Sequence, residues 1–185
     1  MTADDQRIVM DVEEIDAALE ALADHIVQKN AGLADVALVG IADGGVPIYR
    51  RLQNLLKTKG NLLDELPSGI IDITLYRDDL TINDQPELKD MRLDFDVNGK
   101  TIILVDDVVF TGRTVRSAIM AVMDYGRPGK IQLAALVDRG HRELPIQPDF
   151  VGKVIQTAAD ELVEVYVSAT QTDTDRVVVR PRPVS

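Results

Sequence analysis

Apolar residues fall along this chain in two rhythms. Ile15, Leu19, Leu22 and Ile26 recur at intervals of four, three and four, which holds them on one face of an α-helix. Asp11 stands before this run as an N-cap, with Glu14 three residues later, the spacing of a capping box. Gly32 marks the stop. Val36–Ile41 is a short, nearly continuous apolar run, as expected for a strand covered on both faces in a parallel sheet. Helical spacing returns over 46–59 through Ile48, Leu52, Leu55 and Leu56, and Gly60 closes it. The β-branched and aromatic content of 70–76 predicts a strand. Residues 77–99 are polar, mixed in charge and without a helical period; a connection of that length inside one domain reads as a functional lid. A buried strand over 101–105, an amphipathic helix over 114–125 and a strand over 131–137 follow, with short strands at 162–167 and 177–179. The last ten residues, 176–185, carry Arg176, Arg180, Arg182 and two prolines, and read as an exposed extension.

Strands alternating with helices predict an α/β fold, a parallel sheet flanked by helices on both faces. Ligands of such sheets sit beyond the carboxyl ends of the strands. The segments to inspect are therefore those after Ile41, Tyr76, Val105 and Val137. With 185 residues the chain reads as one domain, 1–185, long enough to bury a core without staples. It has no Cys, which excludes thiol nucleophiles, disulfides and zinc–thiolate or iron–sulfur sites. His25 and His141 are its two histidines, so a multi-histidine metal site is not expected, and His25 reads as structural. Net charge −11 argues against generic polyanion binding. The polar, acidic first ten residues lack a secretory pattern, and no apolar run approaches the roughly 18 residues that span a bilayer. A cytoplasmic protein is expected, without membrane contact.

The chemistry gathers after the 101–105 strand, in Asp106-Asp107-Val108-Val109-Phe110-Thr111-Gly112-Arg113-Thr114. Two adjacent carboxylates where a strand emerges can accept hydrogen bonds from a vicinal diol, such as the 2′ and 3′ hydroxyls of a ribose. The Thr111-Gly112-Arg113-Thr114 turn supplies hydroxyls and converging N–H groups at a helix N-terminus, where the helix dipole favours an anion. Together they describe a sugar phosphate. An isolated Asp-Asp pair would more often just end a strand and cap a helix. The string is neither a Walker A loop nor a dinucleotide fingerprint.

The segment from Ile102 to Thr114 resembles the phosphoribosyl pyrophosphate (PRPP) motif of type I phosphoribosyltransferases. Two further strings narrow the resemblance. Asp72-Ile73-Thr74-Leu75-Tyr76-Arg77-Asp78-Asp79-Leu80 and the run from Gln132 through Asp138-Arg139-Gly140-His141-Arg142 to Ile146 are similar to PyrR proteins, bifunctional pyrimidine operon attenuators with uracil phosphoribosyltransferase activity. The likeness runs from about Ile8 to Val167. It implies a type I phosphoribosyltransferase-like sheet with a hood, transfer of uracil to PRPP giving UMP and pyrophosphate, and Mg²⁺ carried by PRPP without a dedicated protein cage. It further implies UMP- or UTP-responsive binding of pyrimidine-operon leader RNA, and a homo-oligomer. On this likeness Asp106 and Asp107 hold the ribose diol, Val108 to Thr114 bind PRPP or UMP with Phe110 to Thr114 on the 5′-phosphate, and Ala42-Asp43-Gly44-Gly45 meets the pyrophosphate. Val137, Asp138, Arg139 and Ile155 line the base pocket, and 77–99 with Arg77, Asp78 and Asp79 forms the hood. Basic residues for RNA would be gathered from Arg127, Arg142 and Lys153.

The chain departs from the PyrR pattern at the pyrophosphate loop, where Thr-Arg-Gly is usual and Asp43-Gly44-Gly45 stands, and at Gln156, where Pro is usual. An added carboxylate and a missing guanidinium weaken pyrophosphate binding, unless Mg²⁺ bridges Asp43 to the ligand. Two other readings stay open: a phosphoribosyltransferase for another base, and a nucleotide-binding regulator with weak catalysis. Arg77-Asp78-Asp79 also reads as a surface cluster, and Arg139 to Arg142 as a solvated turn.

Overall fold

The structure, a computed structural model, describes residues 6–42, 44–76 and 93–182. Asp43 of the expected pyrophosphate loop and Arg77, Asp78 and Asp79 of the expected hood lie outside the described residues.

The chain begins with strand β1 (Arg7–Met10) and helix α1 (Val12–Lys29). The capping box forms as the sequence predicts: the Glu14 N–H donates to Asp11 Oδ1 at 2.9 Å and the Asp11 N–H to Glu14 Oε2 at 3.2 Å. Then come β2 (Val36–Ile41), α2 (Gly45–Lys59) and β3 (Ser68–Ile71). After a one-turn 3₁₀ helix (Thr74–Tyr76) follow β4 (Thr101–Val109), α3 (Arg113–Asp124), β5 (Lys130–Asp138), β6 (Phe150–Val154), β7 (Glu161–Tyr166) and β8 (Arg176–Pro181).

Five strands form a parallel sheet in the order β3-β2-β4-β5-β6. Its middle strands are apolar on both sides, which explains their unbroken hydrophobic runs. Leu38, Ile103, Val105, Ala134 and Leu136 face the layer of α1 and α2; Val39, Ile41, Ile102, Leu104, Leu133 and Ala135 face α3. The chain leaves β2 for one edge and returns on β2's other side as β4. The sheet's direction of winding therefore reverses between these two strands, and the crevice beyond their carboxyl ends is where such sheets bind ligands.

Several expectations change. The expected strand over 70–76 stops at Ile71, because the Asp72 carboxylate takes the N–H of Thr74 at 2.9 Å, and its hydroxyl too, and turns the chain. The strand expected over 101–105 continues to Val109, since pairing with β5 persists through Asp106↔Ala135 and Val109↔Asp138. Residues 93–99, assigned to the hood, place Leu93 and Val97 in the core beside α3. Strands β1 and β6 were not anticipated, both being edge strands broken by polar or glycine positions. The exposed C-terminal extension is corrected: Arg176–Pro181 is the centre of a second, antiparallel sheet, β1-β8-β7, with Val177, Val178 and Val179 fully buried. Three consecutive β-branched residues flanked by two partner strands outweigh the proline that follows. Buried Asp175 fastens this sheet, accepting from Ser168 N–H at 3.1 Å, Thr172 Oγ1 at 2.7 Å and Arg51 of α2 at 2.9 Å. Among the described residues no helix is long and apolar enough to cross a membrane.

Candidate active site at the carboxyl edge of the sheet

Asp106 and Asp107 stand near the end of β4, in the reversal crevice. Asp106 is 4% exposed. Its Oδ1 accepts the Asp107 N–H at 3.0 Å, and Asp107 Oδ1 accepts the Val108 N–H at 2.8 Å. Neither carboxylate has an ion-pair partner among the described residues. Burial, and next the charge of Asp107, push the Asp106 carboxyl well above the ordinary carboxylate value. Two acids held together without a cation form a site prepared for donors from outside, such as the hydroxyls of a diol.

The chain then turns. Gly112 adopts φ +93°, a left-handed conformation that side chains resist, and so brings the N-terminus of α3 round to face the β4 edge. The Arg113 N–H donates to Thr111 Oγ1 at 3.4 Å. Asp106, Val108, Val109, Phe110, Thr111, Gly112, Thr114 and Val115 enclose a cavity of about 80 Å³. A helix N-terminus opening onto a cavity of this kind suits a phosphate. Of the string read from sequence, Asp106 and most of the turn share this cavity, while Asp107 and Arg113 do not line it.

The loop after β2 crosses directly over the acids. A side-chain carbon at Gly44 would lie 2.2 Å from Asp107 Oδ2, and one at Gly45 would lie 2.3 Å from the Val105 carbonyl oxygen. Gly45 meets fixed backbone and so demands glycine for space, whereas a side chain at Gly44 would have to push the Asp107 carboxylate aside. Ala42 completes this approach, its N–H donating to Ile71 O at 2.9 Å.

The segment after β5 roofs the turn. The Arg139 N–H reaches Val109 O at 3.1 Å, and the Glu143 and Leu144 N–H groups both reach Thr111 O. Arg139 is buried; its guanidinium covers the Phe110 ring at 4.2 Å and donates to Thr157 Oγ1 at 3.1 Å and Ala158 O at 2.9 Å. His141, at φ +58°, meets the edge of the same ring. Asp138 uses one oxygen for the Gly140 N–H and the other for Arg142, and its carbonyl accepts the Ile155 N–H at 2.9 Å. The side chains of Asp138 and Arg139 thus build the loop, and those of Val137 and Ile155, expected to line a base pocket, are instead buried in the core on the α1 and α2 side, because β5 is an inner strand covered on both faces. Leu144, Ile146 and Thr157, which the sequence reading passed over, close this roof; the signal was an apolar pair inside an otherwise polar stretch.

The RNA candidates are not brought together. Arg127 precedes β5 and Arg142 follows it, so nine strand residues, roughly 30 Å, separate them. Lys153 donates to Val9 O at 2.9 Å and to Glu14 at 2.6 Å. His25 lies exposed on α1, away from the site. Among the described residues no group of three acids or histidines is arranged to hold a metal.

The comparisons agree with this geometry. A phosphoribosyl transferase domain family model matches residues 9–169. The chain is 49% identical over 173 residues to a Caldicellulosiruptor bescii protein named bifunctional protein PyrR, covering 92% of this chain and 93% of the relative. A Clostridium novyi protein of the same name is 52% identical over 162 residues, covering 87% and 90%. Hypoxanthine phosphoribosyltransferase of Trypanosoma cruzi superposes with a TM-score of 0.70 at 21% identity, covering 95% of this chain and 97% of that one, a likeness of fold. Staphylococcus aureus hypoxanthine phosphoribosyltransferase gives 0.70 at 18% identity, over 96% and 91%. The chain belongs to the phosphoribosyl transferase family and, within it, to the PyrR family.

Proposed function

We propose that this chain is a uracil phosphoribosyltransferase that forms UMP and pyrophosphate from uracil and PRPP, and that it doubles as a UMP-responsive regulator of pyrimidine-operon attenuation. The carrying observation is buried Asp106 beside half-buried Asp107, with no cation on either among the described residues, next to the left-handed Gly112 turn in a chain about half identical to bifunctional PyrR proteins.

In this reading the ribose diol donates to Asp106 and Asp107, and the 5′-phosphate lies in the cavity at the α3 N-terminus. As the C1′–oxygen bond to pyrophosphate breaks, the sugar gains oxocarbenium character. The two carboxylates stand where that positive charge develops. Uracil N1 closes on C1′ as pyrophosphate leaves, its proton passing to the departing pyrophosphate, while the loop that follows β5, Asp138 to Gly140, meets the base. The Gly44-Gly45 turn would meet the departing pyrophosphate through main-chain N–H groups, and a hood would exclude water. A pair of hard oxygen donors without a third ligand fits Mg²⁺ arriving on PRPP, because Mg²⁺ is commonly held by one or two carboxylates plus substrate phosphates. The ion would neutralise the leaving group.

Leader RNA, a homo-oligomeric assembly and a cytoplasmic location belong to the same proposal. The deciding experiment measures UMP formation from uracil, PRPP and Mg²⁺, with hypoxanthine as the competing base. Folded protein that forms no UMP sinks the enzyme reading, and faster transfer to hypoxanthine sinks the choice of base. A second reading, a UMP-binding regulator with weak catalysis, draws on the pyrophosphate loop. That loop carries no guanidinium, and a side-chain carbon at Gly44 would crowd the Asp107 carboxylate. UMP binding without measurable turnover would favour it.

A further inference from the structure

The proposed reaction leaves Arg142 without a task. Its side chain is 13% exposed, and four of its five N–H groups are committed within the chain. Nε donates to Ile146 O at 3.0 Å. Nη1 donates to Phe110 O at 2.8 Å and to Gly140 O at 3.0 Å. Nη2 pairs with Asp138 Oδ2 at 2.7 Å. Phe110 belongs to the phosphate turn, Asp138 and Gly140 to the base-side loop, and Ile146 to the segment over Gly112. One planar, rigid fork thus pins three segments at once, a task that the compact lysine ammonium would not match. A guanidinium turned inward in this way is poorly placed to contact an RNA phosphate.

We infer that Arg142 is a positioning residue that locks the phosphate turn and the base-side loop into one unit, so that both halves of a nucleoside monophosphate depend on it. The inference rests on the proposed UMP site. Binding the phosphate then fixes the loop that receives the base, and the reverse holds equally. The Glu143 and Leu144 N–H bonds to Thr111 O remain when the guanidinium is removed, so the variant has a folded state to measure.

The experiment is calorimetric titration of wild type, Arg142→Met and Arg142→Lys with UMP, uridine and ribose 5-phosphate. Lys130→Gln, at the far end of β5, serves as the control for charge. The uridine-to-UMP ratio of Kd reports the phosphate's contribution, and the ribose 5-phosphate-to-UMP ratio reports the base's. In Arg142→Met both ratios fall, each by about tenfold, the scale of coupling between groups in one network. Arg142→Lys recovers little of either, and kcat falls along with PRPP affinity. A fall in the phosphate ratio alone would reduce Arg142 to a support of the turn and overturn the coupling. Unchanged ratios with a lower Tm would make it a purely structural residue. Unchanged ratios with lost retention of a pyrimidine-operon leader RNA would make it an RNA contact. Full recovery by lysine would show that charge alone suffices. If wild type binds no UMP, the proposed function itself fails, and that outcome is separate from all of these.

Discussion

The strands β4 and β5 lie side by side and reach the same edge of the sheet with carboxylates, yet they treat them in opposite ways. At the end of β4, Asp106 and Asp107 crowd together with backbone N–H groups as their donors and no cation among the described residues. At the end of β5, Asp138 is satisfied by a turn amide and by Arg142. The first arrangement leaves two acids without a counter-charge among the described residues; the second turns charge into scaffold. A carboxylate's role at a sheet edge is thus set by what opposes it. The two strand ends also work together, since the β5 segment forms the roof of the β4 turn.

The sharpest break of this comparison is chemical. Asp106→Asn and Asp107→Asn keep the shape but remove the charge that would face the diol and the developing oxocarbenium ion. UMP formation should fall by at least about a hundredfold in each, the scale of losing one preorganised electrostatic contact. Retained activity in either variant would mean that its carboxylate is not ligand-facing.

Stability should move the other way at β5. Asp138→Ala strands the Arg142 guanidinium and should cost about 3 kcal/mol, the lower range for breaking a buried pair. In a chain of this size that is a Tm loss of roughly 6–12 °C. A smaller loss would show that solvent rescues the guanidinium. Gly44→Ala tests the space above the acids: its new carbon would collide with Asp107 Oδ2, so the loop must shift. The KM for PRPP should rise about tenfold or more, with little change in Tm.

The pH dependence of Asp106 follows from the sign of its shift. Its folded pKa is raised, so the folded state holds this proton more tightly than the unfolded chain does. The associated stability is fully present below the ordinary value of about 3.8 and is lost as pH rises through the raised one. Asp106→Asn removes that loss, because its amide oxygen can still accept the Asp107 N–H. Near neutral pH the variant should therefore melt above wild type, by roughly 2–4 °C for each kcal/mol, and the gap should close toward pH 4. Deleting charge would then stabilise β4's end and destabilise β5's. The smallest effect belongs to Glu143→Gln at the rim, where an exposed pair with Arg113 joins the two segments at 2.8 Å. It should cost less than about 1 kcal/mol and fade with salt, read by thermal melts at two ionic strengths.

Much of this was legible in the chain. The interval of Ile15 to Ile26 gave α1, and the apolar runs gave β2 and the start of β4. The 106–114 string announced both acids and the anion turn. What escaped had non-local causes. The strand at Val177 to Val179 was legible, but its place as the buried centre of a sheet was not, because β1 and β7 arrive on either side and no local pattern reports distant partners. Asp138, Arg139 and Arg142 looked like ligand or RNA contacts, because a side chain's spare hydrogen bonds cannot be counted until its neighbours are placed.

The residue order by itself therefore determined the periodic elements, the parallel sheet and the two adjacent acids near the end of β4. These depend on contacts within a few residues and on burial, which hydrophobic spacing encodes directly. Tertiary structure decided that Gly45 is demanded by the closeness of the Val105 backbone and that Gly44 lies against the Asp107 carboxylate. It also decided which acid lacks a cation and which arginine faces inward. Those outcomes depend on distances of 2–4 Å between segments far apart in sequence, where one nearby donor or acceptor settles whether a charge is available or spent.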